Sequence, residues 1–286
     1  MVFASGQSKT PKLKYIRTCL GKHSIECGLN FQTINQTTFP SSSNPTISKG
    51  TPCSFHNLVD LVMKNKDGVR STIIPSKVLL QLQNLERVKI VSCSGLKVVF
   101  PLSSKAKNIS GLSVSQTVVK IPNLREVYLE WLDDLRYVWN NHQWMTLEFP
   151  NLTSLSIYVC NSLNYVFTSS MVGSLVQLQD LVISDCMNIE VIVSEVQRCD
   201  DNVNEIMLPR LKSITLCKLP RLSGFYLGKV AFSLTSLDTL EIEECPSFEV
   251  FTRGHLATPE LKVMDTSFGM YYVHGDLNSF AKTRRF

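Results

Sequence analysis

The sequence predicts an α/β solenoid: a curved horseshoe with a short-stranded parallel sheet on its concave face and irregular or short helical segments on its convex face. Three observations carry that prediction. The first is the stretch from Phe149 to Phe167, FPNLTSLSIYVCNSLNYVF. Its apolar positions Leu152, Leu155, Ile157, Cys160 and Leu163 spell L-x-x-L-x-I-x-x-C-x-x-L, the leucine-rich-repeat pattern. The second is that this pattern returns along the chain. The third is a further apolar register, 15 residues after the first leucine of a copy, which holds Phe100, Trp139, Phe167, Val193 and Tyr226, with Phe251 at 14 in a later copy.

Each element follows from side-chain geometry. The L-x-I alternation makes a short strand that points two apolar side chains inward. A sharp turn after it needs a small buried residue, the slot of Cys160. The chain then runs back along the outer face, where a large apolar residue fills the space between strand and return segment. One copy cannot bury its apolar side alone and needs stacked neighbours.

The neighbours are present. Leu58, Leu61 and Met63 open a first copy. Leu85, Val88, Ile90, Cys93 and Leu96 form the second, and Leu124, Val127, Leu129, Leu132 and Leu135 the third, with leucine in the cysteine slot. Leu152 begins the fourth. Leu178, Leu181, Ile183, Cys186 and Ile189 make the fifth, and Leu211, Ile214, Leu216, Leu219 and Leu222 the sixth. Leu237, Leu240, Ile242, Cys245 and Phe248 make the seventh, and a weaker eighth keeps Leu261 and Met264. Successive starts lie 27, 39, 28, 26, 33, 26 and 24 residues apart. The two long intervals hold polar insertions, Ser103 to Gln116 and Ser194 to Glu205, which a solenoid places in surface loops.

A longer repeat organises the ends. Residues 3–21 align without gaps on residues 251–269: Phe3, Gly6, Thr10, Pro11, Leu13, Lys14, Thr18 and Gly21 match Phe251, Gly254, Thr258, Pro259, Leu261, Lys262, Thr266 and Gly269. Residues 1–21 therefore read as the closing coil of a preceding repeat block, as in a piece of a longer array or a truncated product. Residues 22–52, rich in Ser, Thr, Asn and Pro toward their C-terminal part, read as a flexible linker. Residues 53–269 form the repeat domain of about eight irregular copies, and 270–286 a tail suited to cover the last coil.

Composition excludes several classes. With 44% apolar and 19% charged residues the chain is of folded, globular type. The net charge of +5 arises from the ends, since removing Lys9, Lys12, Lys14, Arg17, Lys22, Lys282, Arg284 and Arg285 leaves −3. These cations read as solvated termini, not as a nucleic-acid surface. No run reaches the roughly 18 apolar residues of a membrane span, and the opening residues lack the apolar core of a secretory signal. Nine cysteines in such a chain read as reduced thiols. On the same ground the sequons at Asn35, Asn108 and Asn151 read as chance.

Catalytic and cofactor patterns are missing. There is no G-x-x-x-x-G-K-[ST] phosphate loop, and no C-x-x-C or H-E-x-x-H metal spacing. Cys93, Cys160, Cys186 and Cys245 share one repeat slot, which makes them a buried ladder of small apolar residues. The five histidines show no pairing. The reading is a non-catalytic chain with no cofactor and no metal.

What remains is the strand face. Positions two, four, six and seven after each first leucine point to the concave surface. They supply Arg87 and Lys89, then Glu126, Tyr128, Glu130 and Trp131, then Ser154, Ser156 and Tyr158, then Asp180 and Asp185. Tyr128, Trp131 and Tyr158 fall on neighbouring coils. They read either as a protein-binding surface, where aromatic residues are enriched, or as rings packed on one another or under the Ser103–Gln116 insertion.

The motif L-x-x-L-x-[LI]-x-x-C-x-x-L-x-x-[VI]-[FWY], in LERVKIVSCSGLKVVF and LTSLSIYVCNSLNYVF, resembles the plant intracellular nucleotide-binding leucine-rich-repeat disease-resistance proteins of coiled-coil type. The phrases FPNLTSLSIYVC, FTSSMVGSLVQLQDL, LPRLKSITLCKLPRLSGFYLGK and LDTLEIEECPSFEVFTRG are similar to the C-terminal repeat blocks of the lettuce-type resistance-gene-candidate family. The similarity extends over essentially the whole chain. It implies a cytoplasmic protein-recognition module that senses pathogen effectors directly or through a guarded host protein, and that contacts the receptor's own nucleotide-binding module. Nucleotide binding itself does not carry over, because no phosphate loop is present. The alternative is the substrate-recruiting repeat domain of an F-box-type ubiquitin ligase; its more regular spacing, polar turn after the cysteine and F-box are not seen. The N-x-L-x-G-x-[IL]-P consensus of receptor ectodomains is not seen either.

Overall fold

The computed structural model describes residues 15–18, 55–69, 71–74, 76–102, 117–140, 145–195, 205–273 and 277–278. Each repeat copy becomes one coil. In all eight, the concave strand begins two residues after the first leucine: Asp60–Lys66, Arg87–Cys93, Glu126–Glu130, Ser154–Tyr158, Asp180–Ser184, Ser213–Cys217, Thr239–Glu243 and Val263–Thr266. These strands lie parallel in a ten-stranded sheet that Tyr15–Thr18 opens and Gly269–Tyr272 closes. The closing strand is the antiparallel one.

Register keeps the inward rows in rank. Leu61, Val88, Val127, Leu155, Leu181, Ile214, Leu240 and Met264 stand opposite one another from strand to strand, and all are buried. A slip of one residue would turn this row to solvent, so burial fixes the pairing. The cysteine slot holds Cys93, Leu132, Cys160, Cys186, Leu219 and Cys245, all fully buried. The described thiols form no disulfide.

The turn after the strand has one conformation in seven coils. Asn65, Ser92, Trp131, Val159, Asp185, Lys218 and Glu244 all hold φ between 49° and 57°, the left-handed region. Sequence reading put these positions on the strand face. From the third to the seventh coil the strand ends at the residue just before this position, so Trp131, Val159, Asp185, Lys218 and Glu244 stand on a rim turn instead. From the second coil on, the left-handed step swings the next residue into the buried slot. It also aims N–H groups across coils: Trp131 donates to the Tyr158 carbonyl at 3.1 Å, and Lys218 to that of Glu243 at 2.9 Å.

The outer segments are mostly strands. Val98–Pro101 pairs with Tyr137–Asn140, and Phe167–Thr168, Val191–Ser194, Gly224–Tyr226 and Val250–Thr252 form a second sheet. A third side, ahead of each first leucine, is built from Thr117–Lys120 with Met145–Glu148 and from Glu205–Met207, Ala231–Ser233 and Leu256–Ala257. Helix among the described residues is limited to single turns, Ser76–Leu79 and Ser169–Val172, apart from the two residues 277–278. Runs such as Val98-Val99-Phe100 and Val191-Ile192-Val193 explain the preference, because β-branched and aromatic side chains fit a pleated surface.

The core runs through the middle of the coils. Phe100, Trp139, Phe167, Val193 and Tyr226 are buried, as the second register requires. Trp139 lies between Phe100 and Phe167 with ring centroids 5.5 and 6.0 Å away, nearly parallel to both. Its indole N–H donates to the Val166 carbonyl at 2.7 Å, which satisfies the polar end of a buried ring. A side-chain ladder joins coils at the position just before the first leucine. Asn84, Asn123 and Asn151 each donate Nδ2 to a carbonyl of the preceding coil, of His56, Gln83 and Pro122, at 2.6 Å. At the far end Leu277 is buried, and Asn278 Oδ1 accepts the N–H groups of Phe251 and Thr252 at 3.1 and 2.9 Å.

The expected linker 22–52 and the Ser103–Gln116 insertion lie outside the described residues, as do most of 1–21 and of the second insertion.

Candidate functional site

The concave rows place most of the expected site residues side by side. Arg87, Glu126, Ser154 and Asp180 form one row across four strands, Lys89, Tyr128 and Ser156 a second, and Glu130 and Tyr158 a third. Trp131 and Asp185 stand beside them on the rim turn, for the reason given above.

The structure draws four of these side chains into one cluster. The Lys89 ammonium sits 4.2 Å from the centroid of the Tyr128 ring, a cation over an aromatic face. The Tyr128 hydroxyl donates to Glu130 at 2.9 Å, and the Tyr128 and Tyr158 rings tilt together at 5.5 Å between centroids. Loss of solvation pushes the Tyr128 phenol up to about 12, and the Glu130 carboxylate adds to the rise. Tyr128 is therefore a fixed neutral donor near neutral pH. Trp131 makes no ring contact among the described residues and is 55% exposed.

The other expected residues are spoken for or stand alone. Arg87 grips Asp60 of the preceding coil in a forked pair, Nε to Oδ1 at 2.6 Å and Nη2 to Oδ2 at 2.9 Å. That bond raises the Arg87 guanidinium above its ordinary value. Asp60 occupies the same row, and sequence reading missed it because the first copy lacks the full motif. Asp185 lies 3.7 Å from Lys218. Asp180 is exposed and makes no ion pair among the described residues. A second apolar group was also missed: Phe268, Met270 and Tyr272, on or beside the closing strand, are all strongly exposed. No repeat register reaches them, so sequence offered no way to assign them a face.

The buried cysteines differ in their surroundings, and the hydrogen bond between Cys160 and Cys186 lowers the Cys186 thiol. Cys160 donates its backbone N–H to Cys186 Sγ at 3.3 Å. Its own thiol is held well above the ordinary range, first by its hydrogen bond with Cys186 and then by burial. Burial pushes Cys93 up, and Cys245 up to about 12. Among the described residues no group of three His, Cys, Asp or Glu could hold a metal ion. No described helix is long and apolar enough to cross a membrane.

Residues 41–187, just over half of the chain, match the family of RPS2-like plant disease resistance proteins through its leucine-rich repeats. The chain is also similar to a probable disease resistance protein of Arabidopsis thaliana. The two are 28% identical over 129 residues, which make up 45% of this chain and 14% of that relative. The chain thus matches a small part of the relative's length. No solved structure matches it.

Proposed function

The chain belongs to the RPS2-like leucine-rich-repeat family of plant disease resistance proteins, and on that premise we propose that it is the protein-recognition region of an immune receptor in the cytoplasm. It senses a pathogen effector, directly or through a guarded host protein, and acts without catalysis. The observation that carries this reading is the concave cluster of Lys89, Tyr128, Glu130 and Tyr158 beside the exposed Trp131.

Such a cluster suits recognition. The rings offer apolar area at little cost in side-chain entropy, and the phenol and carboxylate supply fixed polar contacts. The parallel sheet beneath holds them in a pre-set geometry, which lowers the ordering cost of binding. Arg87, Glu126, Ser154, Ser156, Asp180 and Asp185 surround the cluster and set specificity by their charge and hydrogen bonding.

Co-immunoprecipitation from plant cells tests the reading, with wild type compared to a Tyr128→Ala/Trp131→Ala/Tyr158→Ala variant of unchanged melting temperature. A partner identified with wild type and lost with the variant supports it. Equal capture of that partner by both overturns the assignment of the site.

A further inference from the structure

The three most exposed large apolar side chains among the described residues lie on or beside the closing strand: Phe268 at 69%, Met270 at 72% and Tyr272 at 72%. Register assigns two of them a side. On the closing strand Tyr272 stands opposite Val263, Tyr271 opposite Met264 and Met270 opposite Asp265. Met264 is fully buried. Strand side chains alternate, so Tyr271 faces inward with Met264, and Met270 and Tyr272 face the concave side.

The rows next to them are acidic. Asp265 stands opposite Glu241 on the adjoining strand, with Glu243 further along that strand and Glu244 on its rim turn. Like charges directly opposite one another repel. Glu241 accepts a hydrogen bond from the Thr215 hydroxyl at 3.1 Å, and Asp265 accepts one from the Thr266 N–H at 2.9 Å. Neither bond neutralises the charge. Among the described residues none of these four carboxylates makes an ion pair. An apolar strip thus runs beside a strip of carboxylates that no described cation pairs with, each with side chains two residues apart along a strand.

We propose that this end of the concave face docks an extended peptide segment in which apolar residues alternate with Lys or Arg. Lying along the strands, such a segment repeats its side chains at the spacing of both strips, roughly 6.6–6.8 Å for every second residue. Its apolar side chains cover Met270 and Tyr272, and its cations reach Asp265, Glu241 and Glu243. Charge selects this occupant: a second copy of the chain brings its own carboxylates against these, and an acidic segment is repelled. The surface lies at the far end of the sheet from the Tyr128 cluster and does not depend on it.

Fluorescence anisotropy on the whole chain tests this, with a labelled octapeptide of alternating Lys and Val as probe and one of alternating Glu and Val as its counterpart. The Lys–Val peptide binds, and binding weakens as salt is raised. Glu241→Gln/Asp265→Asn weakens it about tenfold or more, Met270→Ser/Tyr272→Ser weakens it similarly, and Tyr128→Ala/Tyr158→Ala leaves it unchanged. Melting curves check that each variant folds, and the carboxamide pair carries the test if the serine pair does not fold. Equal binding of the two peptides overturns the proposal, as does binding that none of the C-terminal variants changes. Self-association of the chain that Met270→Ser/Tyr272→Ser abolishes would also overturn it, in favour of a second copy as occupant.

Discussion

Val159 donates its N–H to the carbonyl of Ser184 in the next coil at 3.1 Å while holding φ at 51°. A β-branched side chain is poorly suited to that region, where the left-handed conformation costs about 1–2 kcal/mol for an L residue. The cross-coil bond and the buried slot that follows keep the turn in place. The same step is taken by Asn65 and Asp185, whose short polar side chains tolerate it better.

Relief of this strain is measurable. Val159→Asn is expected to stabilise the chain by about 1 kcal/mol, because asparagine enters the left-handed region at lower cost and Val159 is not part of the fully buried core. Thermal unfolding checks it. A lowered melting temperature would show that the valine side chain contributes more packing than the turn costs.

The inward rows give a second expectation. Leu155 is fully buried between Val127 and Leu181. Leu155→Asp places an unpaired charge there and is expected to cost about 4 kcal/mol or more, whereas Leu155→Met is expected to cost about 1 kcal/mol. Denaturant titration of both variants reads the difference. Equal stability of the two would contradict the register.

Thiol accessibility gives a third. Cys93, Cys160, Cys186 and Cys245 are fully buried, and Cys217, on the concave strand Ser213–Cys217, is partly exposed. Burial raises Cys217 as well, so its thiolate forms only at alkaline pH. Maleimide labelling read by peptide mass is expected to modify Cys217 in the native chain, faster as pH rises, and to spare the other four until denaturant is added. Native labelling of Cys160 or Cys245 would contradict the buried ladder.

Much of this fold was legible because its signals repeat. A first leucine in each copy located a strand two residues later in all eight, and the fifteenth position located the stacked rings of Phe100, Trp139 and Phe167. The outer strands were not legible: three-residue runs such as Gly224–Tyr226 carry too little periodicity to separate strand from turn. Nor was the left-handed rim, since Trp131, Val159, Lys218 and Glu244 are not residues that announce a positive φ. In the site, sequence alternation supplied the rows but not the contacts. Tyr128 could have met Tyr158, Trp131 or an insertion, and alternation alone does not select Tyr158 and Lys89, the neighbours it meets.

The most direct test of the recognition surface is photo-crosslinking in plant cells, with benzoylphenylalanine in place of Tyr128 in one chain and of Tyr137 in another. Tyr137 serves as the comparison because it is an exposed tyrosine on an outer strand, against Tyr165. The concave assignment requires a crosslinked protein partner from position 128 and none from position 137. A partner captured from 137 and not from 128 would move recognition to the outer side of the solenoid and contradict it.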